Sequence, residues 1–241
     1  GNLPTNTTYF QPMATKGTDG TDVGTTITTQ GDILYRDGSG LQRLAKPASD
    51  KFLQNTSGGV LSWESVSSDC VKLATVSATS GTSMSIDGYF SSTYNVYKIF
   101  VHDYNITSSA EWLKYRYNYG GTVNTSSDYA WAAGYNYRNN SQSTSGSEGH
   151  HSANYMGLTW WGTGSDRDLC AEITIIDPLN TSRKTTSKFT IFTMDASQTL
   201  HQFTGGGLLN SSAGQAACSG ITIFPNNGTI ASLKATLYGF K

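Results

Sequence analysis

Apolar and polar residues along this chain alternate in short runs and do not recur at helical spacing, so strands are the expected elements. The clearest runs are Val71 to Ala78, Tyr94 to Tyr104, Glu111 to Tyr119, Leu169 to Ile176, Lys188 to Met194, Gly220 to Phe224 and Thr229 to Tyr238. In the last run Leu233, Ala235 and Leu237 alternate with Lys234, Thr236 and Tyr238, which gives one buried face and one wet face. Ile173 and Ile175 alternate with Glu172 and Thr174 in the same way, and Asp177-Pro178 ends that run because proline cannot donate to a ladder. Strands at this spacing predict an all-β fold, with an antiparallel β-sandwich of jelly-roll-like form over residues 67–241.

The pattern upstream is different. Residues 1–30 carry almost no apolar periodicity, and the Gly-x-y turns between Lys16 and Gly24 are too few for a collagen helix. This stretch is expected to be an extended linker, continuing from residues upstream of Gly1. Over 31–66 the turn signals Asp37-Gly38 and Ser57-Gly58-Gly59 separate short β runs, which predicts small hairpins. Their apolar residues Ile33, Tyr35, Leu41, Leu44, Leu53 and Trp63 are too few to close a core within one chain, whereas three copies together could bury them. A homotrimeric hairpin shaft is the expectation for this part.

Composition narrows the function classes. Only 14% of residues are charged, against about a quarter in an average soluble domain, and there are 26 glycines and 14 tyrosines. Uncharged surfaces rich in hydroxyls, amides and aromatic rings suit sheets and suit carbohydrate recognition. The net charge of -1 comes with no run of Lys or Arg, which excludes nucleic acid as a partner. No stretch approaches the ~18 uninterrupted apolar residues of a membrane helix, so no membrane insertion is expected. Cys70, Cys170 and Cys218 form no close pair, and they are expected to be buried free thiols. No motif calls for a cofactor.

The segment Gly31-Asp32-Ile33-Leu34-Tyr35-Arg36-Asp37-Gly38-Ser39-Gly40-Leu41-Gln42-Arg43-Leu44 resembles a motif of bacteriophage tail-fibre and other virion fibre proteins. In that family it is followed by a short hairpin ending in Trp, as Leu61-Ser62-Trp63 does here, and then by a C-terminal β-sandwich. Tyr94 to Ile99, Ala171 to Pro178, and Ile221-Thr222-Ile223-Phe224 to Leu237-Tyr238-Gly239-Phe240-Lys241 are similar to such sandwiches, and Gly1 to Phe10 is similar to the last strand of a small carbohydrate-binding-like module found upstream in fibres. The resemblance implies a trimeric virion appendage, tail or head fibre, assembled in the host cytoplasm. Its N-terminal side would join other virion proteins, and its head would meet a host cell-surface glycan or protein.

The densest candidate chemistry lies between Trp112 and Trp161. So many tyrosines are unusual in a core, because each buried hydroxyl needs a partner, whereas a sugar-binding face uses flat rings with polar rims. Tyr117, Tyr119, Tyr129, Trp131, Tyr135, Tyr137, Asn139, Asn140, Trp160 and Trp161 are therefore the candidate ligand contacts, with packing between chains as the alternative. Tyr115, Tyr117 and Tyr119 fall on one strand face and Trp112, Lys114 and Arg116 on the other. The polar stretch Asn139 to Ser147 is expected to be an exposed loop at a sandwich end. His150 and His151 are candidates for a metal only across a threefold axis, since neighbours on a strand point to opposite faces.

Three function classes follow: a receptor-binding fibre, a structural virion subunit without a ligand, and a polysaccharide-cleaving enzyme. Glu111, Asp128, Glu148, Asp166, Asp168 and Glu172 form no recognisable catalytic motif, and no nucleophile elbow, zinc-protease or nucleotide signature is present. The sequence is read as non-enzymatic.

Overall fold

The computed structural model describes residues 23–65, 68–108, 112–138, 143–158, 169–194, 199–211 and 215–241. Among the described residues the protein is all-β apart from one helical turn, α1 (Val23–Thr26), and the chain divides into two units, residues 1–67 and 68–241. No helix among the described residues is long and apolar enough to cross a membrane.

The first unit holds two hairpins, β1 (Ile33–Asp37) with β2 (Gly40–Leu44), and β3 (Phe52–Asn55) with β4 (Leu61–Glu64). The Asp37 carboxylate accepts the backbone N–H groups of Ser39 at 2.7 Å and Gly40 at 3.0 Å, which closes the first turn. Asp32 accepts from the N–H groups of Thr29 at 2.8 Å and Lys46 at 3.0 Å and from Arg43 Nε at 2.7 Å. Removal from water alone would raise its pKa, but these donors outweigh that and hold the carboxyl below the usual range. Polar contacts thus organise the hairpins. Trp63 Nε1 donates to the Ala45 carbonyl at 2.7 Å. None of the described side chains of this unit is fully buried, and Phe52 and Val60 are 66% and 59% exposed.

The second unit is built from β5 (Cys70–Ala78), β6 (Met84–Asp87), β7 (Val96–Ile106), β8 (Leu113–Tyr119), β9 (Thr122–Val123), β10 (Tyr129–Arg138), β11 (Ser143–Ala153), β12 (Met156–Gly157), β13 (Leu169–Ile176), β14 (Thr186–Met194), β15 (Leu200–Leu209), β16 (Cys218–Pro225) and β17 (Ile230–Phe240). One sheet has eight strands in the order β11-β10-β15-β14-β13-β7-β17-β5. The other has five, β12-β8-β16-β6 with β9 beside β8. All the pairings are antiparallel. The sheets face each other in a sandwich-like arrangement, since Tyr117 of β8 reaches Ser187 of β14. Eight strands against five differ from the eight in total that make a jelly roll.

Alternation puts Ile99, Val101, Ile173, Ile175, Phe189, Ile191, Leu233 and Leu237 inward, all at 2% exposure or less. On the opposite face of this sheet the Lys98 ammonium meets the Glu172 carboxylate at 2.7 Å. Between β8 and β9 the turn residues Gly120 and Gly121 have φ of +57° and +81°, as a two-residue hairpin turn of this hand requires. Of the cysteines only Cys218 is buried, its thiol pushed up to about 12 by desolvation. Cys70 and Cys170 are exposed, which corrects the expectation of three buried thiols, because they fall on an edge strand and on the outward phase of β13.

Candidate functional site

Of the five tyrosines that sequence reading placed at a binding surface, Tyr117 and Tyr129 are core and Tyr119, Tyr135 and Tyr137 are half-buried. Tyr115, Tyr117 and Tyr129 are 0% exposed and Trp131 is 5% exposed. Their hydroxyls all have partners. Tyr115 and Tyr117 both meet Ser187 Oγ, the latter at 2.6 Å, and Tyr119 donates to Thr185 Oγ1 at 3.3 Å. Tyr129 OH accepts the Tyr117 N–H at 3.0 Å and donates to the Asn124 carbonyl at 3.0 Å. Burial raises the pKa of Tyr115, Tyr117 and Tyr129, and pushes Tyr119 up to about 12. Tyrosine is used here where a core would otherwise take phenylalanine, because the facing sheet offers Ser187 and Thr185 to its hydroxyls. Tyr117, Tyr129 and Trp131 are therefore corrected from surface contacts to core residues, and Tyr119 is half-buried.

Around Trp131 the packing tightens. Its ring lies 5.0 Å from that of His150, and a Cβ on Gly157 would come within 2.6 Å of it. Trp131 Nε1 and Glu148 Oε2 are enclosed and have no hydrogen-bond partner. Burial raises the Glu148 pKa against the opposing effect of His150. Nearby, the Lys114 ammonium sits 3.7 Å above the Tyr155 ring and donates to Asn226 Oδ1 at 2.5 Å. His151 meets Ser152 Oγ at 3.4 Å, where the register of β10 with β11 is irregular. No group of three metal-ligating side chains occurs among the described residues.

Tyr135 and Tyr137 are half-buried on the inward phase of β10, their rings 6.2 Å from Phe203 and 5.8 Å from His201. Asn139, Asn140, Trp160 and Trp161 lie outside the described residues. The stretch expected to be a loop up to Ser147 is strand from Ser143 onward, since β11 begins there and pairs with β10 through backbone groups that need no apolar side chains.

The outward phase of β10 makes the surface that sequence reading missed. Asn136 stands in register between Ser145 of β11 and Gln202 of β15, and Gly134 stands between Ser147 and Thr204. Gly134 has no side chain, so these residues surround a groove of about 370 Å³. Besides Gly134, Gly146 and Tyr135, the lining is two carboxamides and three aliphatic hydroxyls, with no charged side chain. Each of these groups both donates and accepts, the chemistry needed to pair with a polyol. A Cβ on Gly134 would find no atom nearer than 4.0 Å, so the bare strand is open space and not a packing requirement. The signal in the sequence is Asn136, which alternates with Tyr135 and Tyr137 and so marks a polar outward phase beside the aromatic one. Glu148 faces inward and Glu172 outward, so these two carboxylates do not form a catalytic pair.

No family model matches the chain, and no curated protein and no solved structure matches it.

Proposed function

We propose that the chain is a phage virion fibre protein whose C-terminal sandwich binds a host-surface receptor, a glycan, through the groove over Gly134. The carrying observation is the groove's lining: Asn136, Gln202, Ser145, Ser147 and Thr204 offer neutral, two-way hydrogen bonding around an open floor. The virion assignment is supported by the resemblance of residues 31–44 to a fibre motif. The proposed homotrimer is supported by the hairpin unit, whose described side chains are nowhere fully buried within one chain. Three copies bring Leu44, Leu53 and Trp63 together and supply the missing core. The N-terminal side then joins other virion proteins, and the protein acts by binding without catalysis.

A structural subunit without a ligand is the second reading, and the burial of Tyr117, Tyr129 and Trp131 favours it, because it removes three of the candidate aromatic ligand contacts. Binding of the purified protein to intact bacteria, before and after periodate oxidation of their surface sugars, separates the two. Saturable binding abolished by periodate supports the glycan reading. Absence of binding to every strain that the parent virion infects supports the structural one.

A further inference from the structure

The groove has an apolar neighbour on the same face. In register, Phe192 of β14 stands beside Gln202, and Met194 stands beside Leu200. Gln202 is also the β15 partner of Asn136, so groove and apolar patch share one residue as their common wall. Phe192, Met194 and Leu200 are 44%, 39% and 50% exposed. They lie on the outward phase of their strands, as their inward neighbours Ile191, Thr193 and His201 are buried. Neighbouring strands are about 4.8 Å apart, so Phe192 on β14 lies about 10 Å across the sheet from the groove floor on β10.

We propose that this patch is a second subsite, resting on the glycan reading of the groove, and that it selects a neutral oligosaccharide whose second sugar carries a methyl-bearing group. The distance suits two linked sugars, one set among the amides and hydroxyls and the next lying against Phe192. A pyranose presents C–H groups on its face and hydroxyls at its rim, and an aromatic ring beside Gln202 meets both. Leu200 and Met194 extend the apolar surface beyond the ring. The sugars that use such an extension are 6-deoxyhexoses and N-acetylhexosamines, whose methyl groups would cover it. The nearest cation, Arg138, follows Asn136 by two residues on the same outward phase of β10 and pairs with Leu200, so it borders both groove and patch, while the groove lining itself is uncharged. An acidic polysaccharide is therefore the competing ligand, and salt dependence distinguishes it.

The test uses the full chain on immobilised oligosaccharides in matched pairs, hexose against 6-deoxyhexose and hexosamine with and without its N-acetyl group, with acidic members included. Phe192→Ala is expected to weaken binding of the methyl-bearing members about tenfold, with Phe192→Trp restoring it and the oligomer mass unchanged. If Gly134→Val abolishes binding while Phe192→Ala leaves it intact, the second subsite is wrong and the groove stands. If neither substitution changes binding, both readings fail. A change in oligomer mass with Phe192→Ala, without loss of binding, would make the patch a contact between chains and overturn the proposal. Preference for acidic members, lost at high salt, would overturn it as well.

Discussion

Ser187 is the residue on which the aromatic core converges. One hydroxyl from the larger sheet serves both Tyr115 and Tyr117 of the smaller one, in a region from which water is excluded. Ser187→Ala leaves two buried phenols without that partner, and the expected cost is about 1–3 kcal/mol in a denaturant titration. Adding Tyr115→Phe and Tyr117→Phe to that variant should recover much of the loss, because the stranded hydroxyls are then gone. The same burial governs the response to alkali. Tyr115, Tyr117, Tyr119 and Tyr129 hold their protons more tightly in the folded chain than the unperturbed value of 10.0. Their contribution is complete below that value and is lost as pH rises through it toward the folded pKa, about 12 for Tyr119. The unfolding midpoint is expected to fall steadily above about pH 10, and a flat midpoint between pH 9 and 11 would contradict the burial. The tyrosine content was legible in the sequence but its role was not, since a buried phenol is recognisable only once the partner on the facing sheet is known.

At the scale of elements, the strands legible in the sequence are those with a strict apolar phase. Leu169–Ile176 was found to the residue, and Ile230–Phe240 nearly so. Six strands, β6, β9, β10, β11, β12 and β15, lie outside the runs with a clear apolar phase. In β11 the sequence from Ser143 to Ala153 has no apolar alternation, and β15 carries three successive glycines at Gly205, Gly206 and Gly207. Those glycines are dictated by contacts distant in sequence: a Cβ on Gly207 would come within 2.6 Å of the Trp131 Cβ and of the Met156 methyl. Gly207→Ala is therefore expected to cost about 1–3 kcal/mol by overpacking. Gly134→Val, where nothing lies nearer than 4.0 Å, should leave the unfolding midpoint unchanged or raise it, since a β-branched residue suits a strand. Equal destabilisation by both would refute the distinction between a packed glycine and one that keeps a groove open. The candidate site was illegible for the same reason as β11. Its residues are polar, come from three strands, and become neighbours only through the registers of β10 with β11 and β15.

At the scale of the molecule, the two units differ in kind. Residues 68–241 close their own core, while the described part of the hairpin unit leaves Phe52, Leu53 and Val60 at 66%, 47% and 59% exposure. If one chain were the working unit, Leu53→Asp would be nearly neutral, within about 0.5 kcal/mol, as exposed substitutions are. In a trimer the same change places three carboxylates in a shared apolar contact. Light scattering of the parent protein is expected to give three times the chain mass of 25.9 kDa, and Leu53→Asp to lower it while the sandwich stays folded. A monomeric parent would contradict the account of the shaft.

The central claim is that the outward groove of β10 holds a host glycan. It is tested most directly by comparing the parent protein with Gly134→Val for saturable binding to intact cells of a strain infected by the proposed parent virion. The account predicts periodate-sensitive binding by the parent protein and its loss, by tenfold or more, in the variant of unchanged stability and mass. Equal binding by the two proteins would contradict it.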